Sequence, residues 1–215
     1  MTARPVLYGA TYSVYVRAVR LALHEKAVPY EQVEVDVFAP TGPPEAYLAR
    51  HPFGRIPAFE HEGFHLYEAG AIERYVDEAF PGPPLQPNEP RARARMTQAI
   101  SVLDSYAYPT LVRTIFVEQV RAPSRGQAPD EARIAAALPR AATCLHALAE
   151  ISGGGPWLAG NALTLADLHA APMLTYFRMA PDGAALLNAC PPLAAWLDRM
   201  AVRPSMQATR SPLES

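Results

Sequence analysis

The sequence predicts a small α/β domain with a mixed sheet, followed by an all-helical domain. Three observations carry this. The first 80 or so residues alternate between strand and helix patterns in the order strand, helix, strand, hairpin, helix. Residues 80–90, FPGPPLQPNEP, are too rich in proline and glycine to continue a helix. Beyond them, apolar residues recur only at helical spacing.

The elements follow in order. PVLYG is a short apolar run closed by Gly9 and reads as a strand. From Val14 to about Lys26 the period is helical. Val14, Ala18, Leu21 and Ala22 share one face, and Arg17, Arg20 and His24 share the opposite one. After Pro29, YEQVEVDVF alternates strictly and predicts a second strand with Val33, Val35 and Val37 on one face. Residues 39–54 are loop-rich, with a short helix around Glu45–Arg50. AFE and FHL form a hairpin about His61-Glu62-Gly63. A helix from about Glu68 to Ala79 carries Ile72, Tyr75, Val76 and Ala79 as its apolar stripe. Strand–helix–strand followed by a hairpin gives a mixed sheet with helices on its faces.

The segment 81–90 reads as an interdomain linker, dividing the chain into 1–80 and 91–215. In the second part, Arg91–Val120 has helical spacing with a kink expected at Pro109. Asp130 caps a helix running to about Ile151. In NALTLADLHAAPML, Thr164 and Asp167 have capping-box spacing, which makes Asp167 a buried helix cap rather than a catalytic carboxylate.

Composition excludes several classes. A net charge of −2 lacks the basic excess of a nucleic-acid surface. No apolar run approaches a membrane span, and MTARPVLYG lacks the apolar block of a signal peptide. Cys144 and Cys190, the two cysteines, form no CxxC pair and suit a reducing compartment and helical packing. His61 and His65 flank a turn as surface residues, and no histidine has metal-ligand spacing. The expectation is a cytoplasmic globular protein without metal, nucleic-acid or membrane partners. Pro57, at the mouth of the hairpin strand, lacks a ladder donor, and such a residue re-aims the backbone. Position 57 thus presents the backbone of Ile56.

Four segments in order resemble the cytosolic glutathione transferases: LYGATYSVYVRAVRLALHEK, HPFGRIPAFE, LYEAGAI and LTLADLHAAPML. The resemblance is to serine-type bacterial and phi-like members. It implies a thioredoxin-like glutathione-binding domain, an all-helical electrophile-binding domain and a cytoplasmic homodimer. It further implies a cis bond before Pro57, with the ligand's backbone lying antiparallel to Ile56. Glu68 would accept the ligand's ammonium, and the N–H groups opening the helix beyond it would take the γ-glutamyl carboxylate. Arg55 would hold the glycyl carboxylate. Ala69 stands where the family carries a serine, and loss of that hydroxyl costs about 1.5–3 kcal/mol unless backbone donors compensate.

Ser13 falls where serine-type members carry their catalytic hydroxyl; its local context equally suits a helix N-cap. Tyr8 and Tyr12 are the competing donors. Free thiols ionise with a pKa near ~8.5, and a hydrogen bond to the thiolate of roughly 1.5–3 kcal/mol lowers this by about one to two units. Tyr106, Tyr108, Arg113 and Phe116 are the candidate electrophile-binding residues, with helix packing the competing reading for the aromatics. The function implied is attack of the activated thiol on an apolar small-molecule electrophile. The alternatives are a glutathione-dependent isomerase or lyase, or a non-catalytic binding or regulatory module on the same scaffold, which Ala69 favours.

Overall fold

The computed structural model describes residues 4–214, which group into two compact units, the first containing the chain to Leu85 and from Pro204 onward, the second Gln86–Arg203. The second unit therefore ends before the last helix, and the C-terminal segment belongs with the α/β unit rather than with the helical one.

In the first unit, β1 (Val6–Tyr8), β2 (Glu31–Val33), β3 (Ala58–His61) and β4 (Phe64–Tyr67) form one sheet in the order β2-β1-β3-β4. β1 pairs parallel with β2 and antiparallel with β3, and β3 pairs antiparallel with β4. Two-residue periodicity sends Leu7 and Phe59 to one face, where both are buried with the apolar sides of α1 (Val14–Glu25) and α3 (Ala69–Ala79). The opposite face carries Tyr8, Ala58 and Glu60 beneath the short α2 (Glu45–Leu48), where Val35, Tyr47 and Ala58 form a second small cluster with Ile56 packed against it. The hairpin turn places Glu62 and Gly63 both at positive φ, 52° and 80°, the conformation that two-residue hairpins require.

Three expectations change here. β2 stops at Val33, because Asp36 accepts from the Tyr12 hydroxyl (2.6 Å) and the Phe38 N–H (2.9 Å) and turns the edge of the sheet away. Arg17 is not on a solvated face: it is 2% exposed, since the segment containing α9 (Pro204–Ala208) covers that side of α1. Its guanidinium donates to the Met206 carbonyl (3.1 Å) and the Thr209 hydroxyl (3.4 Å) and pairs with Glu214. His61 is buried, bonded through Nδ1 to the Tyr75 hydroxyl (2.9 Å) with the Phe80 ring 4.7 Å away, because α3 covers that end of the hairpin.

The second unit is helical: α4 (Pro90–Val102), a π-helical stretch (Leu103–Arg121), α5 (Glu131–Ser152), α6 (Leu165–Met179), α7 (Pro181–Asn188) and α8 (Pro191–Ala201). Pro109 does not break the helix; the wider i→i+5 turn of the π-helical stretch accommodates its ring. α5, capped by Asp130, is long and apolar enough to cross a membrane by length and composition, but it buries one face, Ile134 through Leu148, within the unit. Cys144 is buried and Cys190 half-buried.

Asp167 is fully buried and holds this unit together as the capping box predicts. It accepts from the backbone N–H groups of Leu158 and Thr164 and from Trp196 Nε1, all at 2.8 Å. Burial pushes the Asp167 carboxyl above the usual range against the pull of these donors. Asp167→Ala strands these three donors and the Thr164 hydroxyl, which also donates to Asp167 (3.0 Å), so chemical denaturation should report a loss of about 3 kcal/mol or more; a loss below about 1 kcal/mol would mean that the network relaxes without cost.

Candidate active site

Strand register brings the candidate residues to one end of the sheet. Tyr8, the last residue of β1, pairs with Ala58, the first of β3, and Ala58 pairs with Tyr67, the last of β4. Gly9, Pro57 and Glu68 therefore leave the sheet side by side. Gly9 makes this convergence possible. A Cβ there would lie 2.5 Å from Val16 Cγ2 and 3.1 Å from Ile56 Cβ, and its φ of 149° disfavours any other residue. Val16, in the first turn of α1, and the Ile56 side chain thus meet over a residue with no side chain of its own.

Ser13 caps α1 with extended backbone, its oxygen accepting from the Val16 N–H at 3.4 Å. That bond uses the oxygen and leaves the hydroxyl proton without an acceptor among the described residues. The two tyrosines differ. Tyr8 donates to Glu60 (3.1 Å), and burial, reinforced by that bond, pushes its pKa up. Tyr12 donates to Asp36. Both phenolic protons are committed.

The Ile56–Pro57 bond is cis, and neither polar group of the Ile56 backbone has a hydrogen-bond partner among the described residues. Tyr47, not singled out by the sequence reading, donates to the Arg55 carbonyl at 2.7 Å. Glu68 has φ 71°, a conformation that costs a non-glycine residue about 1–3 kcal/mol and that gathers at functional sites. Its carbonyl accepts from Ala71 and Ile72, so the N–H groups of Ala69 and Gly70 at the start of α3 remain unpaired among the described residues. A helix start with free N–H groups attracts a carboxylate.

The helical unit holds the other four candidates. Tyr106 is 64% exposed and Arg113 is exposed, Tyr108 is half-buried, and all three lie on the π-helical stretch. Phe116 is buried and stacked on Tyr176 with ring centroids 4.4 Å apart. Its surroundings are those of a packing residue, and it presents no surface to a ligand.

Comparison with known proteins fixes the lineage. Residues 7–84 match the family model described as Glutathione S-transferase, N-terminal domain, and residues 131–199 match its C-terminal domain. The chain belongs to the glutathione S-transferase family. It is 31% identical to glutathione S-transferase F13 of Arabidopsis thaliana over 93% of this chain and 91% of that protein. The apo structure of glutathione S-transferase III superposes with a TM-score of 0.84 at 31% identity, covering 96% of this chain and 95% of the other. Glutathione S-transferase I from maize, solved with an atrazine glutathione conjugate, superposes at 0.83 with 27% identity over 96% of each chain.

Within this glutathione transferase fold, one buried group went unremarked in the sequence. His51 is 2% exposed, with rings of Tyr67, Phe53 and Tyr47 at 4.9, 6.2 and 6.5 Å, and its Nδ1 has no partner among the described residues. It opens the HPFG segment, directly before Pro52, but nothing in its spacing announced burial. Desolvation lowers its pKa from 6.5, against the attraction of Glu68, with Arg55 lowering it further. Because the folded pKa is the lower one, the stability gained by keeping His51 neutral is full above about pH 6.5 and is lost as pH falls below it. The melting temperature should therefore decline with acidification below about pH 6.5, and less steeply in His51→Asn. Equal slopes in the two proteins would show that His51 does not titrate on unfolding.

Proposed function

We propose that this chain is a cytoplasmic glutathione transferase of the serine type, acting on an apolar electrophile. The observation that carries the reading is the hydroxyl proton of Ser13 at the mouth of α1, which has no acceptor among the described residues, together with the Ile56 backbone, which has no partner among them. Reduced glutathione adds to Ile56 as a short antiparallel strand, where main-chain hydrogen bonds supply affinity without demanding particular side chains. Glu68 accepts its ammonium. The N–H groups of Ala69 and Gly70 take the γ-glutamyl carboxylate, without the further hydroxyl donor that Ala69 lacks. Arg55 pairs with the glycyl carboxylate.

Thiol activation is then electrostatic. As the thiol approaches Ser13, its proton leaves to solvent and the sulfur accepts the hydroxyl hydrogen. The partial positive charge of the α1 N-terminus adds roughly 0.3–1 kcal/mol in favour of the anion. Ser13 stays a donor throughout and forms no covalent bond. Tyr106, Tyr108 and Arg113 are the residues of the helical unit proposed to hold the electrophile, and the conjugate held by the maize relative supports that class of reaction. A homodimer is part of this proposal, and it would cover the exposed Phe53 (69%), whose ring centroid lies 6.2 Å from that of Tyr67.

Ser13→Ala should leave glutathione affinity within about twofold and raise the pKa of the bound thiol by about one to two units, read from thiolate absorbance against pH. If that pKa is unmoved in Ser13→Ala but rises in Tyr8→Phe, the assignment of the donor is wrong. Ala69→Ser, restoring a hydroxyl to the α3 N-terminus, should tighten glutathione binding by about tenfold in calorimetry. Unchanged affinity would mean that the backbone donors already saturate the carboxylate.

A further inference from the structure

The Tyr47 side chain spans from α2 to the peptide that precedes Ile56. The ring is 4% exposed, packed in the cluster with Val35 and Ala58 against which Ile56 also lies. Its hydroxyl donates to the Arg55 carbonyl at 2.7 Å. That carbonyl and the Ile56 N–H belong to one peptide unit, and this unit is trans, since the cis bond is the next one along. In a trans peptide the C=O and N–H point in opposite directions within one plane. Pinning the carbonyl toward Tyr47 therefore aims the Ile56 N–H directly away from α2. That N–H has no acceptor among the described residues.

We infer that Tyr47 is a positioning residue for the thiol-peptide ligand, orienting and polarising the Ile56 N–H through the Arg55 carbonyl. Two effects act together. Orientation removes the rotation of the peptide plane that an unpinned loop would have to give up on binding. Polarisation strengthens the donor, because a hydrogen bond accepted at the carbonyl of an amide makes its N–H a better donor, by about 10–30%. The frame around Tyr47 is rigid for the same purpose. Its own carbonyl accepts from the N–H groups of Arg50 (2.9 Å) and His51 (3.1 Å), and Arg50 Nη1 bonds Glu60 of β3 at 2.5 Å, tying this segment to the sheet. Burial pushes the Tyr47 hydroxyl pKa well up, so the donor stays protonated across the working pH range.

This inference rests on the proposed binding of glutathione along Ile56, and the test separates the two. Calorimetry is run on the wild type and on Tyr47→Phe, which keeps the buried ring. The ligands are reduced glutathione and an analogue whose cysteinyl carbonyl is reduced to a methylene, which gives the Ile56 N–H nothing to bond. In the ligand-free proteins the amide nitrogen resonance of Ile56 is also compared. Positioning predicts that Tyr47→Phe weakens glutathione by about three- to tenfold, leaves the analogue's affinity and the saturated turnover within about twofold, and shifts the Ile56 resonance. Equal losses for both ligands, or no loss for either, would overturn it, because a structural role would not distinguish the carbonyl. If the wild type binds no glutathione, the proposed function itself fails and Tyr47 loses its ligand with it.

Discussion

The site depends on one steric constraint, the absence of a side chain at Gly9. The end of β1, the first turn of α1 and the cis-proline segment pack so closely there that even a methyl group would overlap Val16. Remove that freedom and the side chains of Val16 on α1 and of Ile56 before the cis-proline must shift. Those two side chains belong to the elements that carry the two halves of the proposed chemistry, a hydroxyl to hold a thiolate and a strand edge to hold its peptide.

Around that corner the protein has placed its polar groups in two kinds of environment. Tyr8, Tyr12, Tyr47, Arg50 and Glu60 are all tied to side chains or backbone nearby, so their donors and acceptors are spent on architecture. Ser13, Ile56, Ala69 and Gly70 keep backbone or hydroxyl groups without partners among the described residues, on the segments that adjoin the end of the sheet marked by Tyr8, Ala58 and Tyr67. A buried hydrogen-bonding group left without a partner is costly, whereas one left open to a ligand is a recognition element. Arg17 and Asp167 show the architectural solution at its most complete. Each is a charge taken almost wholly out of water, and each is surrounded by several partners from distant parts of its own unit.

Much of this was legible in the sequence, and the reasons differ by residue. The order of elements, the cap formed by Thr164 and Asp167, the hairpin at Glu62-Gly63 and the mixed sheet follow from local periodicity and turn chemistry, which act over a few residues. The family resemblance of HPFGRIPAFE and LYEAGAI marked Pro57 and Glu68. What could not be read were the consequences of long-range packing. Arg17 looks solvated on a helical wheel because nothing local reveals that residues 204–214 return to cover it. His61 and His51 look like loop histidines, and only the covering aromatic rings bury them. Tyr47 sat in a segment read as a loop with a short helix, and its role appears only when the chain brings its hydroxyl onto a carbonyl eight residues away. Val35 and Val37 alternate as a strand should, but the Asp36 side chain captures the backbone and ends the pairing early.

The most direct test of the account is calorimetric titration of the purified protein with reduced glutathione near neutral pH, repeated in two buffers of different ionisation enthalpy. Binding with micromolar to low millimolar affinity, accompanied by release of a proton, is the predicted result, since the thiol would ionise on reaching Ser13. Binding without proton release would contradict thiol activation, and the absence of binding at high ligand concentration would contradict the glutathione site itself.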